Sequence, residues 1–113
     1  MKDSVLEGEY KPMSEFVKVA EVSDLQPGEG KTVVAGDREL ALFNVAGKFY
    51  VIDNICPHRG GPLGEGVMEG NTCVCPWHGW RFDVTTGLSP VVKTAKVDMF
   101  EVMVEGNDVK VKI

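Results

Sequence analysis

The stretches CPHRG at 56–60 and CPWHG at 75–79 are the two places in this chain where a cysteine lies within three residues of a histidine. Together they use both histidines of the protein and two of its three cysteines. The spacing is Cys56-x-His58, then 16 intervening residues, then Cys75-x-x-His78. A soft thiolate and an imidazole on each of two short loops form the halves of a metal site. An incidental pairing would require every histidine of the chain to fall into a motif position by accident.

Two thiolates and two imidazoles can hold zinc tetrahedrally, as in many structural sites. They can also hold a [2Fe-2S] cluster, with one iron on the cysteines and the other on the histidines. Zinc fingers usually collect cysteines in one knuckle and histidines in the other, the histidines often on a helix. Here each loop carries one of each and nothing nearby has helical spacing, which favours two irons gripped from opposite sides.

The surroundings of the boxes fit a ligand-holding segment. Residues 54–90 contain seven of the 13 glycines, four of the six prolines and both tryptophans. Glycine and proline at that density predict tightly turned loops that let backbone approach a ligand. On either side the pattern is short β-rich runs: 16–22, 31–35, 39–45 and 49–52 before the boxes, 99–104 and 109–113 after them. Turns are expected at 25–28, at Gly36-Asp37, at Ala46-Gly47-Lys48 and at Glu105-Gly106-Asn107-Asp108. No window has capped helical periodicity, so the fold class is all-β, a small sandwich or barrel-like stack. Residues 1–15 read as a loose N-terminal extension and 16–113 as the domain.

With 113 residues, 43% hydrophobic and 26% charged, the chain suits one domain with a single modest core. A net charge of −5 without a basic run argues against nucleic-acid binding. It suits transient docking to a partner with a basic patch. No apolar stretch approaches the roughly 20 residues of a membrane span, and the N-terminus lacks the apolar region of a signal peptide. An odd cysteine count fits a reducing compartment, so the expected location is cytoplasmic.

CPHRGGPLGEG (56–66) followed by CPWHGWRFDVTTG (75–87) resembles the two cluster-binding boxes of Rieske proteins, and the likeness extends from about Phe16 to Ile113. It implies a Rieske fold: an antiparallel β base with an inserted, loop-rich [2Fe-2S] cluster-binding subdomain at about 54–84. It implies that Cys56 and Cys75 bind an inner iron, that His58 and His78 bind an outer iron near the surface, and that Leu88-Ser89-Pro90 is a proline-bearing loop covering the cluster. With both irons ferric and the histidines neutral, such a cluster carries no net charge. It therefore accepts an electron more readily than a dianionic four-cysteine cluster in a low-dielectric site.

Departures from the high-potential members of that family narrow the reading. Those proteins carry a disulfide between the cluster loops, where this chain has Gly61 and Trp77. They carry a serine and a tyrosine after the second box, where it has Trp80 and Phe82. They also carry a membrane anchor. The resemblance therefore points to a low-potential Rieske ferredoxin of the kind serving bacterial aromatic-ring dioxygenases, with a midpoint near the roughly −150 mV end of the Rieske range. The implied role is one-electron transfer from a ferredoxin reductase to a terminal oxygenase, without a small-molecule substrate or enzymatic activity of its own. The alternative is a Rieske-like small subunit of a nitrite reductase.

The neighbouring residues have plainer expected roles. Trp77, Trp80 and Phe82 read as filling the small core under the loops. Arg59 reads as solvating its loop, with docking the lesser reading. Asp53, Glu65, Glu69 and Asp83 read as scattered surface carboxylates, with an acidic rim for a reductase the lesser reading. Cys73, in phase with Cys75 along a short strand, reads as a buried small hydrophobe.

Overall fold

Short runs of β-branched and aromatic residues punctuated by two-residue turns build this molecule almost wholly from antiparallel strands. The computed structural model describes residues 16–113, and the expected extension at 1–15 lies outside them. The strands are β1 (Phe16–Glu21), β2 (Gly30–Ala35), β3 (Arg38–Val45), β4 (Lys48–Asp53), β5 (Val67–Glu69), β6 (Thr72–Val74), β7 (Arg81–Asp83), β8 (Met99–Phe100), β9 (Val102–Glu105) and β10 (Asp108–Lys112). They form three sheets, in the orders β1-β10-β9, β2-β3-β4-β8 and β5-β6-β7. Helical structure among the described residues is limited to 3-10 turns at Val22–Asp24 and Leu63–Glu65.

The middle sheet is covered on both faces, which corrects the expectation of a single core. Side chains alternate across a strand, and in β3 both alternating sets are buried: Leu40 and Leu42 enter one cluster, Ala41 and Phe43 the other. In β4, Phe49 and Val51 join the first cluster and Ile52 the second. The first core closes against Ala20, Val109 and Val111 of the β1-β10-β9 sheet. The second closes against Leu63, Cys73, Phe82 and Val84, and it contains Cys56 and Cys75.

The β3–β4 hairpin turns through Ala46 and Gly47, between the paired residues Val45 and Lys48. Both turn residues have positive φ, 53° and 94°, the signature of a type I′ turn. Asn44 supports it: its side-chain oxygen accepts the Gly47 N–H at 2.8 Å, and its amide donates to the Leu25 carbonyl at 2.9 Å.

The single strand expected at 99–104 is broken at Glu101. Val51 and Ile52 of β4 pair with Phe100 and Met99, whereas β9 pairs with β10. The Glu101 carbonyl accepts the Lys112 N–H at 2.9 Å, so the chain changes sheets at that residue with its carbonyl still paired.

Beyond β4, Asn54 ties the loop-rich segment to the middle sheet. It is 2% exposed. Its side-chain oxygen accepts the Gly64 N–H at 2.8 Å and the Thr32 hydroxyl at 3.2 Å, and its carbonyl accepts the Leu63 N–H at 2.8 Å.

Candidate metal centre

The two Cys/His stretches adopt the same closed loop. In the first, the Gly60 N–H donates to the Cys56 carbonyl at 2.7 Å and the Cys56 N–H donates to the Gly61 carbonyl at 2.9 Å. In the second, the Gly79 N–H donates to the Cys75 carbonyl at 3.0 Å and the Cys75 N–H donates to the Trp80 carbonyl at 2.7 Å. Gly60 and Gly79 occupy equivalent positions with φ of 81° and 76°, the left-handed region that glycine enters without a Cβ penalty. Each loop thus begins on a cysteine and turns back at a glycine. Histidine is the third residue of the first loop and the fourth of the second.

Burial falls steeply across the four donors. Cys56 and Cys75 are 1% and 3% exposed, whereas His58 is half-buried and His78 exposed. The imidazoles are neighbours, their ring centres 4.9 Å apart with the planes at 87°. Burial, followed by electrostatic repulsion from His78 and Arg59, lowers the His58 pKa and favours the neutral imidazole. Burial likewise pushes the Cys56 thiol up, with the facing Cys75 thiol acting in the same direction.

Two features fit this set to a bound group. His58 Nδ1 is buried without a hydrogen-bond partner, a state that native structures rarely leave uncompensated. The four side chains are arranged as an inner pair of buried thiols and an outer pair of neighbouring imidazoles. Gly61 is where the two loops meet without room for a side chain, since a Cβ there would lie 2.7 Å from Cys75 Sγ.

The aromatic residues do not share one role. Phe82 is fully buried in the core that holds the two cysteines. Trp80 is half-buried and stacks face to face on His58, 4.4 Å between ring centres with the planes 10° apart. That stack was not legible in the sequence, where Trp80 looked like core filler. Its only cue is that Trp80 closes the second loop, which aims its ring at the first. Trp77 departs from expectation: it is 57% exposed and lies outside the core. Its ring lies across Gly61, 3.1 Å from where a Cβ would stand, so the two positions that carry a disulfide in high-potential Rieske proteins are in contact here.

Cys73 is fully buried, and its thiol donates to the Leu63 carbonyl at 3.1 Å. Burial, with smaller contributions from Cys75 and Cys56, raises its pKa to about 12, so it stays an inert thiol. Each of the four carboxylates considered for an acidic rim has a local partner. Glu69 pairs with Arg81, and Asp83 accepts the Thr85 N–H and hydroxyl at 2.8 and 2.6 Å. Asp53 accepts the Ile55 N–H at 3.1 Å and Glu65 the Thr32 hydroxyl at 3.3 Å. Arg59 is exposed. Leu88 forms an isolated bridge with Lys96 and is 55% exposed.

Residues 15–105 match the Rieske [2Fe-2S] domain family. The ferredoxin component of the naphthalene 1,2-dioxygenase system of Pseudomonas putida is 35% identical over 98 residues, covering 80% of this chain and 94% of that protein. In a complex of reduced oxygenase and oxidized ferredoxin of carbazole 1,9a-dioxygenase, one chain superposes with a TM-score of 0.77 at 36% identity, covering 84% of this chain and 99% of that one. A nitrite reductase NADPH small subunit shares the fold, with a TM-score of 0.74 at 21% identity over 86% of this chain and 97% of that one. At that identity the likeness concerns the fold alone. No helix among the described residues is long and apolar enough to cross a membrane.

Proposed function

The chain belongs to the Rieske [2Fe-2S] domain family, and from that premise we propose that it is a cytoplasmic one-electron carrier. It takes an electron from a ferredoxin reductase and hands it to a terminal ring-hydroxylating oxygenase. Family membership gives it one Rieske-type [2Fe-2S] cluster. In this reading Cys56 and Cys75 hold the inner iron, and His58 and His78 hold the outer one. The single observation that carries the assignment is the burial gradient, from thiols at 1% and 3% exposure to an exposed His78.

Bound there, the cluster supplies one reversible electron with no proton or group transfer. The protein does the rest. Cys56 and Cys75 keep water from the inner end, and the closed loops fix both sulfurs against the core beneath. His58 and His78 bring the outer end to the surface, which shortens the distance to a docked partner. The likeness to ferredoxin components of naphthalene and carbazole dioxygenase systems supports an oxygenase as the acceptor and a reductase as the donor. It favours this role over that of a nitrite reductase subunit.

Reconstitution tests the assignment. Added to a matching reductase and ring-hydroxylating oxygenase, the purified protein restores substrate turnover. Cys56→Ala, His58→Ala, Cys75→Ala and His78→Ala each abolish both that activity and the paramagnetic signal of the dithionite-reduced protein. Substrate turnover by this chain alone, or an intact signal in any of the four variants, would overturn it.

A further inference from the structure

The four donors leave unexplained why a tryptophan from the second loop lies flat on the histidine of the first. The Trp80 carbonyl is pinned by the Cys75 N–H at 2.7 Å, which anchors the residue to its own loop. Its ring then crosses to His58, parallel to within 10° at 4.4 Å. The same ring neighbours Phe82, 6.5 Å away and tilted by 41°, and packs against the second core, in which Phe82 is fully buried. The indole is therefore backed by the core and has little room to retreat from His58. An imidazole held by one ring nitrogen can still swing about its own bonds, and a flat partner against one face removes much of that freedom. His78 meets His58 edge-on and is exposed, so the bracing falls mainly on one histidine.

We propose that Trp80 is a positioning residue that fixes the plane of the His58 imidazole, keeps water from one of its faces, and thereby holds the midpoint potential down. The proposal rests on the reading of His58 as a cluster ligand. Its sign follows from charge. Uptake of one electron makes the centre one unit more negative, and water stabilises that added charge better than an indole does. The face of an aromatic ring is itself electronegative, so the stack opposes added negative charge in the same direction. Removing the indole admits water, raises the potential and frees the imidazole to adopt a range of orientations.

The test uses the cluster-loaded protein and its Trp80→Phe and Trp80→Leu variants. Phenylalanine keeps a flat aromatic face, whereas leucine fills volume without one. Midpoint potential is read by protein-film voltammetry, and the nitrogen couplings of the reduced centre by pulsed electron paramagnetic resonance. Two imidazole couplings in the wild type must be seen first; their absence refutes His58 and His78 as ligands, a separate failure from that of the present proposal. With them present, Trp80→Leu should shift the midpoint upward and broaden one coupling while the other stays sharp, and Trp80→Phe should stay close to wild type. Leucine matching wild type in both readouts overturns the proposal, as does phenylalanine departing as far as leucine. If leucine fails to retain the cluster, phenylalanine decides: retention supports the need for a flat face, and loss overturns it.

Discussion

Gly61→Ala adds one methyl group where the two loops meet. Gly61 does not have positive φ, so its backbone suits alanine and the added carbon is the whole perturbation. That carbon would stand 2.7 Å from Cys75 Sγ and 3.1 and 3.2 Å from two atoms of the Trp77 ring. Favourable carbon–carbon contacts lie at about 3.5–4.0 Å, so the overlap with sulfur is on the order of 1 Å. Trp77 is 57% exposed and can swing outward, but Cys75 is 3% exposed and sits in the core. The sulfur must therefore move, or the loop must open. Overpacking of this kind costs about 1–3 kcal/mol, and the displacement far exceeds the roughly 0.2 Å that metal–ligand distances tolerate. Iron and sulfide per chain should fall well below wild type after expression and after a fixed incubation with chelator. Gly60→Ala is the control, because φ is 81° there and a Cβ would meet nothing within 4 Å. It should incur only the left-handed backbone penalty of about 1–2 kcal/mol, visible in denaturation, while the Cys75 sulfur keeps its place. A Gly61→Ala protein with full iron content and an unchanged visible spectrum would refute the reasoning.

Other perturbations probe the rest of the fold. Cys73→Ala should leave the reduced-cluster signal intact; loss of that signal would make Cys73 a ligand. Because folding raises the Cys73 thiol from 9.0 to about 12, its contribution to stability is complete below pH 9 and is lost as pH rises towards 12. The alanine variant should remove up to about 1.4 kcal/mol per pH unit of that decline, measured by denaturant titration at stepped pH. Phe82→Tyr should raise the midpoint, expected near the low end of the Rieske range at about −150 mV, provided the added hydroxyl reaches a cysteine sulfur. Film voltammetry checks this, and an unchanged or lower value in a fully loaded variant would sink it. Ala46→Asn should stabilise the β3–β4 turn by about 0.5–1 kcal/mol, since asparagine tolerates positive φ better than alanine. An unchanged or lower denaturation midpoint would contradict the type I′ assignment.

The two Cys/His stretches stood out in the sequence because cysteine and histidine are scarce in this chain, and the structure gives both the same closed loop. The all-β class was legible because period-2 runs alternate with turn residues at 36–37, 46–47 and 106–107. What the pattern could not carry was which partner each strand takes. Residues 99–104 keep their β character through Glu101, yet pairing passes there from β4 to β10, because alternation records a strand's faces and not its neighbours. The roles of the tryptophans were hidden for a related reason. Trp77 stands third in its loop, where His58 stands in the other. Whether a third-position side chain turns inward or outward follows from loop geometry, not from its hydrophobicity. Trp77 therefore lies over Gly61 on the outside, and Trp80, one residue past the turning glycine, crosses to His58.

Sharing the middle sheet between two cores bears directly on how the site holds its shape. The sheet β5-β6-β7 has only three residues per strand, too little to stand alone in water. It gains its stability by closing over Ala41, Phe43 and Ile52, side chains supplied by strands whose opposite faces are buried in the first core. Asn54 adds a polar tie, joining β2 through Thr32 to the segment between the two loops. The cysteines thus rest on a floor that cannot shift without disturbing the base beneath it. Such a floor suits a carrier that must accept and release an electron without rearranging, since side chains locked by packing keep their geometry in both charge states. The outer side of the site is built differently, with His78 and Trp77 left open to solvent. Rigidity is thus concentrated around the thiols and exposure around one imidazole, which is the division of labour that electron transfer to a transient partner requires.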